Sequence, residues 1–109
     1  MQATTDNTFK ADVLESKLPA LVDFWATWCT PCKNLMPVLE AVLKNFKGRL
    51  KGFSLNVETS PHTPTSYNIM SLPTLILFHK GEVLDLRVGG SQDEDDLKTW
   101  LKDTLKSLG

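Results

Sequence analysis

Residues 20–39, ALVDFWATWCTPCKNLMPVL, decide the architecture. They open with a short apolar run, Ala20 to Trp25, of β-branched and aromatic character, the pattern of a buried strand. From Pro31 to Lys47 the apolar residues Leu35, Leu39, Val42, Leu43 and Phe46 recur with helical period, and Met36 and Val38 widen the stripe. Pro37 falls inside this helix, where it removes a backbone donor and is expected to produce a kink. A strand therefore runs into a helix, and both cysteines of the chain, Cys29 and Cys32, sit at the junction.

Upstream, Phe9, Val13 and Leu14 predict a short first helix that ends near Lys17, because Leu18 precedes a proline and avoids the helical region. Downstream of Gly48, LKGFSLNV (50–57) reads as a second central strand, and SPHTPTSYNI (60–69) as a turn with at most a short helix. TLILF (74–78) and EVLDLRV (82–88) flank His79-Lys80-Gly81 as an antiparallel hairpin. In its second arm Leu84, Leu86 and Val88 alternate with Val83, Asp85 and Arg87, which predicts one buried and one wet face. The last helix is expected to begin with a capping box at Ser91–Glu94 and to bury Leu97, Trp100, Leu101, Leu105 and Leu108. Its acids crowd the start and its lysines the end, as the helix dipole favours. The order predicts an α/β fold: parallel strands first, a hairpin at one edge, and helices on both faces of the sheet.

Composition narrows the function classes. With 109 residues, a net charge of −1, 41% hydrophobic and 23% charged residues, the chain reads as one domain, 1–109. No sustained basic stripe offers a site for nucleic acid, and no basic block adjoins an apolar span for a membrane. The first residues lack the basic and apolar regions of a secretory signal, and no apolar run approaches the ~20 residues of a membrane span. A cytoplasmic location is the resulting expectation, and structural disulfides are rare there.

The two cysteines admit three chemistries. A zinc site needs four ligands, and the only further soft candidates, His62 and His79, are 17 residues apart rather than three to five. A static disulfide across two intervening residues closes too short a loop to stabilise much. A reversible redox pair suits the placement. A thiolate at Cys29 would meet the unpaired N–H groups and positive dipole end of the helix, lowering its pKa below the ordinary ~8.5. Cys32, one turn on, is placed to attack a mixed disulfide formed on Cys29. Because Pro31 offers no N–H, the Thr30 hydroxyl is expected to serve as an additional donor to that thiolate.

The segments VDFWATWCTPCKNLMPVL (22–39), SLPTLILFHKGEV (71–83) and VGG (88–90) resemble the thioredoxin family in order and separation, over about Phe9 to Leu105. The resemblance implies a thioredoxin fold, with a central mixed β-sheet flanked by helices on both faces. It also implies a protein disulfide reductase in which Cys29 attacks and Cys32 resolves. Electrons would come from a thioredoxin reductase and pass to client protein disulfides, in a monomer with neither bound cofactor nor metal. Asp23 would be the buried acid that takes the proton of Cys32, its pKa raised by an apolar strand. Pro73 would be a cis-proline beside the cysteines, and Trp28, Thr30, Pro31, Leu72, Gly89 and Gly90 would complete the docking surface for clients. Three departures stand out. Thr30 replaces a usual glycine between the cysteines, Ser54 stands where many bacterial relatives carry lysine near the acid, and Pro64 replaces an alanine in the short helix. An oxidant or isomerase of the same fold, and a docking subunit without thiol chemistry, are the alternative functions.

Overall fold

The computed structural model describes residues 1–108, so Gly109, the last residue of the expected domain, lies outside the described residues. Five strands form one sheet in the order β1-β3-β2-β4-β5, with β1 at Gln2–Ala3, β2 at Ala20–Trp25, β3 at Lys51–Asn56, β4 at Thr74–His79 and β5 at Glu82–Val88. β1 and β2 run parallel to β3, whereas β4 pairs antiparallel with both β2 and β5. The expected α/β arrangement, a central mixed sheet, is therefore present. Strand β1 was not foreseen. It is two residues long, too short to carry a period, and exists because Gln2 and Ala3 align with Phe53 and Ser54 on the free edge of β3.

Helices cover both faces. On one, helices α1 (Thr30–Leu43) and α3 (Glu94–Lys106) bury Leu35, Leu39, Leu97 and Leu101 against Leu21, Leu75 and Leu77 of the sheet. On the other, Phe9 and Val13 pack on Val22, Phe24, Ile76 and Phe78, with the Phe9 ring edge-on to Phe78 at 5.5 Å. The helical segment there is shorter than expected, Lys10–Leu14, and more widely wound: the Glu15 N–H donates to the Lys10 carbonyl, five residues back. The short helix α2 (His62–Ser66) follows β3, with Pro64 buried inside it. Its first N–H groups, of His62 and Thr63, donate to the Asp6 carboxylate. Some burial raises the pKa of that acid, but these bonds and one from the Thr63 hydroxyl outweigh it and hold it below the ordinary value.

Three local expectations are corrected. The hairpin turns at Lys80-Gly81, both at positive φ (53° and 81°), a pair that matches strand twist. Just beyond it the register shifts: Leu77 faces Asp85 while Phe78 faces Val83, so Leu84 is an extra residue bulged out of β5. Leu84 packs on the helix-covered core, but Leu86 and Val88 fall on the other face beyond its cover and are 49% and 52% exposed. The polar residues instead meet α3, where the Trp100 indole donates to Asp85 at 2.8 Å and Arg87 stacks over the ring. The capping box also fails to form. Asp93 is the N-cap of α3 without a side-chain cap bond, and Gln92 donates to the Val88 and Gly89 carbonyls, tying the helix to that loop. Leu108 lies past the end of the helix and is 38% exposed.

Candidate active site

The site forms where the first central strand hands over to helix α1. The Trp25 carbonyl ends β2 by accepting from the Val57 N–H, and the turn that follows closes with the Cys29 N–H on the Ala26 carbonyl. Thr27 pins this turn to the next loop: its N–H and hydroxyl both donate to one oxygen of Glu58, at 2.6 Å each. Those two bonds lower the Glu58 pKa below the ordinary carboxylate value, with the Lys33 charge acting in the same direction. Glu58 is an exposed loop acid with no local pattern around it, so nothing in the sequence marked it.

Cys29 is the N-cap of α1, and Pro31 occupies the first turn, where its missing N–H costs no helix bond. The Cys32 N–H donates to Cys29 Sγ at 3.2 Å, which is the helix-start donor expected for a thiolate there. In this disulfide state the donor to Cys29 is thus the backbone of Cys32, while Thr30 stands exposed beside the pair. The two cysteines are bonded to each other, with Cα atoms 5.3 Å apart. Their burial is unequal: Cys32 is fully enclosed, whereas Cys29, the residue expected to attack, keeps 3% of its residue surface exposed. Ala26, Trp25, Val57 and Leu72 pack around the pair.

Asp23 lies on the same side of β2 as Leu21, the side covered by α1, whose inward face also carries Cys32 and Leu35. The carboxyl is completely buried and neither oxygen has a hydrogen-bond partner. Desolvation alone pushes its pKa up to about 7. Its register neighbour in β3 is Ser54, which brings no charge to oppose that rise.

The other candidates surround the disulfide. Trp28 projects into solvent, 69% exposed, and Leu72 is half-buried across a groove from it. The Leu72–Pro73 peptide is cis, and the Pro73 carbonyl accepts from the Gly89 N–H at 2.9 Å. Gly89 has φ of 106°, a conformation that needs glycine. At Gly90 the bare Cα packs closely against Pro31. A Cβ added there would lie 2.6 Å from Pro31 Cβ and 3.1 Å from its carbonyl oxygen. Gly90→Ala should therefore destabilise the fold by about 1–3 kcal/mol through overpacking against a rigid ring. Urea midpoints of the disulfide form check this, and an unchanged midpoint would mean that the loop gives way freely.

Comparison with known proteins agrees with this geometry. The family model described as Thioredoxin matches residues 1–103. A thioredoxin of Rickettsia felis is 44% identical over 101 residues, 93% of this chain and 95% of the relative. Thioredoxins of Synechocystis and Buchnera aphidicola are 42% and 43% identical over 102 residues, each covering 94% of this chain and 91% and 94% of the relative.

Proposed function

The chain belongs to the thioredoxin family and is a thiol–disulfide oxidoreductase, and from that premise we propose that it works in the reducing direction on client proteins, as a single domain. The observation that carries the reading is the unequally buried Cys29–Cys32 pair at the start of α1. A helix N-terminus stabilises a thiolate at Cys29 and so readies this sulfur as the nucleophile toward a client disulfide.

Reduction takes two exchanges. The Cys29 thiolate attacks one sulfur of a client disulfide, forming a mixed disulfide and expelling the other client sulfur as thiolate. Cys32, once deprotonated, attacks Cys29 Sγ, restores the intramolecular disulfide and releases the second client thiol. Two electrons pass to the client. Asp23 is the proton acceptor for Cys32 in this scheme, since a buried carboxyl with a pKa of about 7 is poised near the pH at which it must take the proton. Trp28, Thr30, Pro31, Leu72, Pro73, Gly89 and Gly90 receive the client segment around its disulfide.

A thioredoxin reductase would return the two electrons, and the protein would act as a monomer in the cytoplasm. No described helix is long and apolar enough to cross a membrane. The test is reconstitution: the chain, NADPH, a thioredoxin reductase and a protein disulfide should consume NADPH in proportion to client thiol formed. Consumption that does not depend on the chain would refute the assignment of direction and partner.

A further inference from the structure

Helix α2 and the loop before Pro73 enclose, with Trp28, a groove of about 420 Å³ that the docking residues above only border. Val57, Ile69, Met70 and Leu72 line it, together with prolines of α2 and its approach, and no charged side chain does. Two of these, Val57 and Leu72, also pack on the cysteine pair, so the groove is continuous with the reacting sulfurs. Met70 stands out at its rim. It is 92% exposed, more than any other large apolar residue of the described chain.

We propose that Met70 is a specificity-determining residue for clients and a site of sulfoxidation that weakens their docking. The inference rests on the reading that client disulfides approach Cys29. A client that presents its disulfide there must lay the adjoining segment over the groove. An apolar side chain next to the client cysteine gains burial against Trp28 and Met70. A charged one loses water and finds no counter-charge. A flexible thioether adapts to side chains of different shape, so the preference is for apolar character rather than for one residue.

The same exposure makes the sulfur reactive. A peroxide transfers one oxygen to the thioether: the O–O bond breaks, an S–O bond forms, the sulfur loses two electrons, and the peroxide leaves as water or alcohol. The product is polar and no longer offers an apolar wall. Met1, whose side chain is 4% exposed, and the half-buried Met36 are better protected, so oxidation falls first on Met70. Sulfoxide reductases reverse the change.

To test this, the disulfide form, in which no thiol is available, is treated with hydrogen peroxide and the added oxygen is mapped by peptide mass. Steady-state reduction is then measured for two peptide disulfides that differ only in Leu or Asp beside the target cysteine. We expect oxygen on Met70, and a KM for the Leu peptide that rises about fivefold on oxidation or in Met70→Gln, without a matching fall in kcat. Met70→Leu should keep the low KM and resist peroxide. An unchanged KM in Met70→Gln, or an equal loss in Met70→Leu, overturns the specificity role. Oxygen on Met36 with Met70 intact overturns the modification. If the untreated protein fails to reduce even a small symmetrical disulfide, it is the reductase reading that falls.

Discussion

Cys29→Ser should reduce dithiol-driven turnover of a protein disulfide to the rate of the reductant alone, whereas Cys32→Ser should stop the reaction halfway and accumulate client bound to Cys29. The asymmetry follows from position. Cys29 caps the helix, accepts the Cys32 N–H and is the only one of the pair with any surface in solvent. A client sulfur can reach it alone, and a serine hydroxyl in its place is too weak a nucleophile for exchange. Cys32 is enclosed, and its sulfur is bonded to that of Cys29. Its loss leaves attack intact but removes the thiol that releases the client. Mass spectrometry after mixing with a single-disulfide client distinguishes the variants: a stable one-to-one adduct for Cys32→Ser, none for Cys29→Ser. Adducts of equal yield on both variants would mean that the roles are not divided.

Asp23→Asn should raise stability at neutral and alkaline pH while slowing release of the client. The folded-state pKa of Asp23, about 7, lies above its unfolded value of 3.8. Between those values the folded protein holds a proton that the unfolded chain has lost. Stability from this group is therefore complete below the unfolded pKa and disappears as pH rises through the folded one. The shift corresponds to a loss on the order of 4 kcal/mol across that window. Asn cannot ionise, so the variant should show a flat profile from about pH 5 to about pH 9 and exceed the wild type by about 1–3 kcal/mol near pH 8, the rest being the cost of an unpartnered buried amide. Asp6 and Glu58, whose folded pKa values are lowered, act oppositely: their stability is lost as pH falls, below that range. Denaturant midpoints should be taken on the disulfide form, where neither cysteine titrates.

Turnover should move the other way. Without the carboxylate, Cys32 loses its proton acceptor, and single-turnover resolution of the mixed disulfide should slow by about tenfold or more near pH 7. The deficit should shrink as pH rises and thiolate forms unaided. A variant that is less stable at pH 8, or that resolves the adduct at the wild-type rate, would show that Asp23 does not act as a base here.

Most of the frame was legible because the strand and helix periods around the cysteines are strong and local. Asp23 was conspicuous as one acid in ALVDFW, and its burial without partners follows from that strand being central. Legibility failed where one residue or one distant contact decided the outcome. The bulge at Leu84 reverses which side chains of β5 face the core, and alternation alone carries no sign of it. β1 depends on an edge offered by residues some fifty positions away, Phe53 and Ser54. Gly90 is explained by Pro31 and the Thr27 turn by Glu58, and both pairs meet only in the folded chain. The groove at Trp28 is likewise assembled from helix α2 and the separate loops that carry Trp28, Val57 and Leu72, so Met70 looked like an ordinary loop residue until its neighbours were in place.

The direction of electron flow is tested most directly by equilibrating the Cys29–Cys32 couple with mixtures of reduced and oxidised glutathione and quantifying dithiol and disulfide after acid quench. A reductant should remain largely in the disulfide form even when reduced glutathione is in large excess, because its potential lies below that of the glutathione pool. A couple that becomes dithiol at modest glutathione ratios would be an oxidant, and the assignment of this chain as a protein disulfide reductase would be contradicted.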